Sequence, residues 1–230
     1  MSSIGIRLQE VKARLASACI AAGRGVDSVT LLAVSKTQGP DAVREAAAAG
    51  QRAFGENYVQ EALDKMAALR DLPLQWHLIG PLQSNKTRVV AEAFDWVHSV
   101  DRLKIAQRLA DQRPAHLPPL QLCLQVNVSG EHSKSGVAPA EVPALAAAVA
   151  ALPASRVHLR GLMAIPAPAD TVAVQRLPHR ALRELATALA EQGLHLDTLS
   201  MGMSDDLEAA VLEGSTMVRV GTAIFGRREA

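Results

Sequence analysis

Aromatic side chains are scarce in this chain: Phe, Trp and Tyr together make up 3% of 230 residues. The core must therefore be built mostly from Ala, Leu and Val. Cysteine is nearly missing, with only Cys19 and Cys123, and these form no Cys-x-x-Cys pair. Both read as buried thiols in a reducing compartment. An excess of charge of either sign is also lacking, since the formal net charge is +1. No basic field exists to hold a nucleic acid or an anionic membrane. No uncharged apolar run reaches membrane-spanning length, because 138–152 is interrupted by Pro139, Glu141 and Pro143. Residues 1–10 are polar and lack the apolar core of a signal peptide. These absences predict a cytoplasmic protein with neither nucleic acid nor membrane as partner.

What is present is an ordinary globular composition, 49% hydrophobic and 20% charged. A chain of this length buries about 70% or more of its unfolded surface, so it needs no disulfide or metal to fold. The pattern along it alternates. Helical spacing over 4–22 precedes a strand at 29–35. Pro40 and Asp41 open a helix that Gly50 stops. Strands are then expected at 52–55, 74–79, 96–100, 120–128, 158–165, 195–200 and 217–220. Helices are expected at 57–69, 84–93, 102–112, 139–151, 175–192 and 205–213. About eight strands alternating with helices predict a parallel α/β protein. In a chain of this size that is a single TIM (β/α)8 barrel, one domain over 1–230 with residues 1–28 preceding the first strand. No GxGxxG follows the first strand, which argues against an open dinucleotide-binding sheet.

A barrel's active site lies at the carboxyl ends of its strands. Polar residues collect there: Ser35-Lys36-Thr37 after the first strand, Gly55-Glu56-Asn57 after the second, Ser200 to Ser204 after the seventh, and Arg219 to Thr222 at the eighth. The last two groups suit an anion. Gly221-Thr222 permits close backbone approach, and Ser204 reads as the N-cap of the helix at 205–213. Amides at a helix start together with a hydroxyl make a phosphate cradle. Lys36 faces that cradle across the barrel mouth. A partly desolvated amine beside cations is freed to attack an aldehyde. Cradle and amine together point to a phosphorylated aldehyde, either pyridoxal 5'-phosphate or a sugar phosphate. Lone residues carry less: His77 and His98 read as hydrogen-bonded barrel histidines, and no His-x-His or His-x-x-x-His pair offers a metal site.

The segments AVSKTQ, FGENYVQE, WHLIGPLQSNK, VNVSGEHSKSG, GLMAIP and SMGMSDDLEAAVLEGSTMVRVGTAIFG resemble the YggS/PROSC family of pyridoxal phosphate homeostasis proteins, from about Ile4 to Arg227. That family is similar to the fold-type III barrel domain of alanine racemase. Gly39 before Pro40 is a departure that loosens one loop and touches no site residue. The resemblance implies that Lys36 carries pyridoxal phosphate as a Schiff base and that Asn57 touches the ring substituents. It further implies that Ser204, Gly221 and Thr222 hold the phosphate and that Arg219 faces the pyridine nitrogen. Met201, and Ile79 or Met163, are secondary candidates for ring packing, with core filling as the default. A guanidinium cannot accept the ring nitrogen's proton, so the ring stays a poor electron sink and carbanion chemistry is disfavoured.

The expected function is thus intracellular pyridoxal phosphate homeostasis, buffering or delivering the cofactor, with apo-enzymes as transient recipients and little or no turnover. Two alternatives stand beside it: an amino-acid racemase, and a class I aldolase on a sugar phosphate. A racemase needs a second proton donor, and the chain has one tyrosine, Tyr58, which reads as a packing aromatic at a helix start. An aldolase needs an acid near the lysine, and Glu56 is the nearest by motif. The loop at 129–134 could act as a lid, with Lys134 passing the cofactor. No long apolar surface stripe is visible, so a monomer is expected.

Overall fold

A computed structural model describes residues 3–130 and 135–226. Eight strands form one closed, all-parallel barrel in sequence order, with β8 paired back onto β1. The strands are β1 (Thr30–Val34), β2 (Ala53–Glu56), β3 (Gln75–Leu78), β4 (Trp96–Val100), β5 (Leu120–Gln125), β6 (Val157–Met163), β7 (Thr198–Ser200) and β8 (Met217–Val220). The seam closes in register, with Thr30 opposite Met217 and Leu32 opposite Arg219. Helix α1 (Ser3–Ala21) precedes the barrel. After the strands come α2 (Pro40–Ala48), α3 (Val59–Ala68), α4 (Thr87–Ala93), α5 (Leu103–Gln112), α6 (Val142–Ala150), α7 (Val172–Glu191), α8 (Leu207–Leu212) and α9 (Thr222–Phe225). The expected (β/α)8 architecture is the one observed.

Alternation along each strand divides the core in two. Outward residues such as Leu31, Ala33, Val218 and Val220 join the large apolar layer beneath the helices. Inward residues fall into two small groups, Leu32, Val34, Ala53, Ile79 and Met217 in one, and Trp96, Cys123 and Met163 in the other. With so few aromatics, Trp96 has a large share of the interior and stacks on His77 with ring centroids 5.3 Å apart.

Element ends differ from expectation where local chemistry decides them. The fifth strand stops at Gln125 rather than 128; Val126 still donates to Met163 O at 2.8 Å, and an isolated bridge pairs it with Val137. Residues 139–141 and 84–86 are tight 3-10 turns feeding α6 and α4 rather than their first α turns. Helix α9 was not expected, and it turns Gly221-Thr222 from a plain turn into a helix start. Ser204 is not an N-cap: α8 begins at Leu207 and its N-cap is Asp206. The reason is local competition, since Asp206 Oδ1 already accepts the Met203 N–H at 2.6 Å and Oδ2 meets His179 Nε2 at 2.9 Å. The expected lid residues Glu131 to Lys134 lie outside the described residues.

Candidate functional site

The carboxyl ends of the strands open into a cavity of about 300 Å³ lined by Val34, Lys36, Asn57, Ile79, Ile165, Met203, Ser204, Asp205, Arg219, Gly221 and Thr222. All six residues singled out from the sequence are on this one surface, although they come from β1, β2, β8 and the turn after β7. Ile79 lines it as well. Met201 and Met163 do not: Met201 is buried in the layer under the helices and Met163 in the barrel interior. Ile165, Met203 and Asp205 also line the cavity, and nothing in their sequence context marks them for it.

The amine end is built on charge buried behind β2. Glu56 is fully buried on the outward face of that strand, and Lys65 of α3 is 3% exposed. Lys65 Nζ donates to Glu56 Oε1 at 2.7 Å and to Ser35 O at 2.6 Å, and it forms an ion pair with Glu61 Oε1 at 2.7 Å. Glu56 Oε1 also accepts the Ser35 hydroxyl at 2.6 Å, and Glu61 Oε1 accepts the Thr37 amide at 2.5 Å. Both chain neighbours of Lys36 are therefore gripped from outside the barrel. Thr37 sits at φ 64, a left-handed conformation that a Thr adopts only when held there. Burial pushes the Glu56 carboxyl above its ordinary value, against the bonds from Lys65 and Ser35. Its Oε2 has no partner in this dry setting.

Arg219 crosses the barrel interior. Its Nη1 donates to Ser200 O at 2.5 Å and Ser200 Oγ at 2.8 Å, and its Nη2 to Ala164 O at 2.8 Å. Burial lowers its pKa to about 10, which still leaves a cation at neutral pH. Behind it runs a chain: Ser200 Oγ to His98 Nδ1 at 2.8 Å, His98 Nε2 to His77 Nδ1 at 3.0 Å, and His77 Nε2 to Gln75 Oε1 at 3.1 Å. Arginine can only donate and the amide oxygen can only accept, so with neutral rings every proton in this chain is assigned from both ends. Burial keeps His77 neutral, its pKa down to about 3, and holds His98 well below its usual value as well. His77 and His98 are thus interior hydrogen-bond partners, as read from the sequence.

The cavity is lined by polar atoms that the protein leaves unused. Among the described residues, the Ser204 and Thr222 hydroxyls and the Lys36 amine have no protein partner. The buried Asn57 Oδ1 is likewise unpartnered. Asn57 is held in place by Gly80, where an added Cβ would lie 2.3 Å from Asn57 O. Gly221 packs against β1 less tightly, its Cβ position 3.1 Å from Val34 O. Two cations, two free hydroxyls and an orphaned amide oxygen around 300 Å³ fit a small anionic ligand with polar ring substituents.

Comparison with known proteins gives the family. The model of the alanine racemase N-terminal domain matches residues 6–229. The pyridoxal phosphate homeostasis protein of Pseudomonas aeruginosa is 64% identical over 229 residues, covering 100% of this chain and 97% of that one. The chain belongs to the pyridoxal phosphate homeostasis protein family. Among solved structures, PipY of Synechococcus elongatus with PLP bound shares 42% identity at a TM-score of 0.84, covering 97% of this chain and all of that one. Alanine racemase of Bacillus anthracis matches 99% of this chain over 56% of its own length, with 18% identity and a TM-score of 0.72. That last likeness speaks to the fold alone. Among the described residues, no group of three or more His, Cys, Asp or Glu is placed to hold a metal, and no helix is long and apolar enough to cross a membrane.

Proposed function

We propose that this protein holds pyridoxal 5'-phosphate on Lys36 in the strand-end cavity and serves cofactor homeostasis in the cytoplasm, releasing the cofactor to apo-enzymes, with little or no turnover of its own. The observation that carries the proposal is the set of unpartnered groups lining one cavity: the Lys36 amine, the Ser204 and Thr222 hydroxyls and Asn57 Oδ1. PipY, related along nearly its whole length, has been solved with this cofactor bound.

When bound, pyridoxal phosphate supplies a ring aldehyde that a lysine amine captures covalently. The chain's own residues do the rest. The backbone on either side of Lys36 is fixed through Ser35 and Thr37, so the amine is presented without a search. Ser204, Gly221 and Thr222 receive the phosphate, and Asn57 meets a polar ring substituent. Arg219 keeps its Nε–H and one Nη2–H for the ring nitrogen, after Ser200 and Ala164 take the others. As a pure donor still charged at neutral pH, it leaves that nitrogen unprotonated, which disfavours carbanion formation.

The racemase and aldolase alternatives are not favoured. Tyr58 is 55% exposed and lies outside the cavity lining. Glu56 is turned away from the cavity and committed to Lys65 and Ser35. The test is a titration of the metal-free apoprotein with pyridoxal phosphate, followed by L-alanine. Saturable visible absorbance with no conversion to D-alanine is expected; racemisation at ordinary enzymatic rates would overturn the carrier reading.

A further inference from the structure

Helix α1 lies outside the eight-fold repeat, yet its arginines reach the cavity's rear. Arg7 and Arg14 are seven residues apart, two helical turns, and so share one side of α1. Arg14 Nη1 donates to Ser204 O at 2.7 Å, while its Nε and Nη2 take Glu208 Oε1 and Oε2 at 2.6 and 2.5 Å. Glu208 lies on α8. Arg7 Nε donates to Ile224 O at 2.7 Å, on α9, the helix that Thr222 opens. Arg24, just past α1, donates from Nη1 to Ser215 O at 2.7 Å and Val211 O at 3.1 Å, at the far end of α8. The two segments that offer the free Ser204 and Thr222 hydroxyls are therefore both held from behind by one helix. Packing alone would anchor α1, since Ile4, Leu8, Val11 and Leu15 are buried along it. Guanidinium bonds to named carbonyls add direction, which apolar contact does not supply.

We propose that α1 is a strap on the phosphate end of the cavity, with Arg14 and Arg7 as positioning residues for a phosphate monoester. The strap rests on the cofactor reading above. It sets how tightly the phosphate is held and leaves the reaction at Lys36 alone. Two ligands that differ only in the phosphate separate these effects: pyridoxal phosphate and pyridoxal.

The experiment measures Kd for both compounds by absorbance titration in the wild type, Arg14→Gln, Arg7→Gln and Arg14→Lys. Arg44→Ala serves as a control, because it removes a comparable two-bond surface pair with Asp71 on α2, away from the cavity. Arg14→Gln is expected to weaken pyridoxal phosphate roughly two- to fivefold, the range of one partly exposed, well-aligned ion pair. Pyridoxal binding stays at the wild-type value, and Arg14→Lys recovers part of the loss. Arg7→Gln, which removes a single bond, gives a smaller loss of the same kind and carries the comparison if Arg14→Gln does not fold. Equal weakening of both compounds, or of neither, overturns the strap. A wild type that binds both equally tightly also overturns it, while leaving Lys36 as the attachment point. A wild type that takes up neither compound overturns the cofactor reading and the strap with it.

Discussion

The two ends of the cavity are held by opposite means. Behind Lys36 stands a buried cluster, with Glu56 fully inaccessible and Lys65 3% exposed. Behind Ser204 and Thr222 stand arginines of α1 at the surface; in the Arg14–Glu208 pair the side chains are 37% and 45% exposed. Burying an ion pair is seldom the most stable choice, because desolvation offsets the attraction, and an apolar replacement often does as well. What such a pair gives is geometry, and here two hydrogen bonds and an ion pair from one ammonium fix the strand end that carries Lys36, the proposed attachment point. The exposed pair gives less energy and more freedom. The proposed role, gripping a cofactor covalently and still parting with it, has use for a rigid end at Lys36 and a softer end at Ser204 and Thr222.

The largest expected effect breaks the rigid end. Lys65→Met leaves Glu56 buried without its cation and is expected to cost about 3–5 kcal/mol of folding stability, measured by urea unfolding. The double variant Lys65→Met with Glu56→Gln recovers much of that cost while leaving Thr37 less constrained, so capture at Lys36 slows even where stability returns. Next comes Gly80→Ala, whose Cβ would meet Asn57 O at 2.3 Å. Overpacking of this kind costs roughly 1–3 kcal/mol and moves Asn57, so a drop in melting temperature accompanied by weaker binding of pyridoxal as well as pyridoxal phosphate is expected.

The two ends also answer pH with opposite sign. Burial raises the Glu56 carboxyl, so the folded protein binds that proton more tightly than the unfolded chain does. This group favours folding below its folded pKa and costs stability as pH rises from the ordinary value of about 4.3 through it. At the phosphate end, burial pushes Asp206 up, but bonds from His179 and the Met203 amide outweigh it and hold it below the usual range. Glu208 is lowered by its bond to Arg14. Their contribution is present above about pH 4 and is lost as pH falls through their folded pKa values. Stability profiles should show Glu56→Gln flattening the limb above about pH 4.3 and Asp206→Asn the limb below about pH 4. The smallest effect sharpens the surface side: Arg14→Ala and Arg44→Ala each leave the melting temperature close to the wild-type value, because exposed ion pairs contribute little, so any larger difference between them in cofactor binding belongs to the site.

The sequence made the barrel and most of the wall legible because strand ends announce themselves. Lys36 and Asn57 follow short apolar runs, and Arg219 stands two residues before a Gly-Thr pair, so strand order alone brings them to one face. Helix ends were less legible. Ser204, Asp205 and Asp206 are all capping residue types, and the helix start falls at Asp206, whose carboxylate is held by the Met203 amide and by His179, 27 residues earlier. The strap was hidden because Arg14 and Ser204 are 190 residues apart and nothing in an amphipathic helix marks which arginine meets a carbonyl. Lys65 reads as an ordinary helix charge four residues after Glu61; only the fold shows that it faces inward onto Glu56.

The most direct test of the central claim is to incubate the protein with pyridoxal phosphate, reduce with borohydride, and map the modified peptide by mass. The account predicts a yellow protein that bleaches on reduction with one pyridoxyl group fixed on Lys36, and none fixed in Lys36→Ala. Label on another lysine, or a protein that stays colourless and unlabelled, would contradict it.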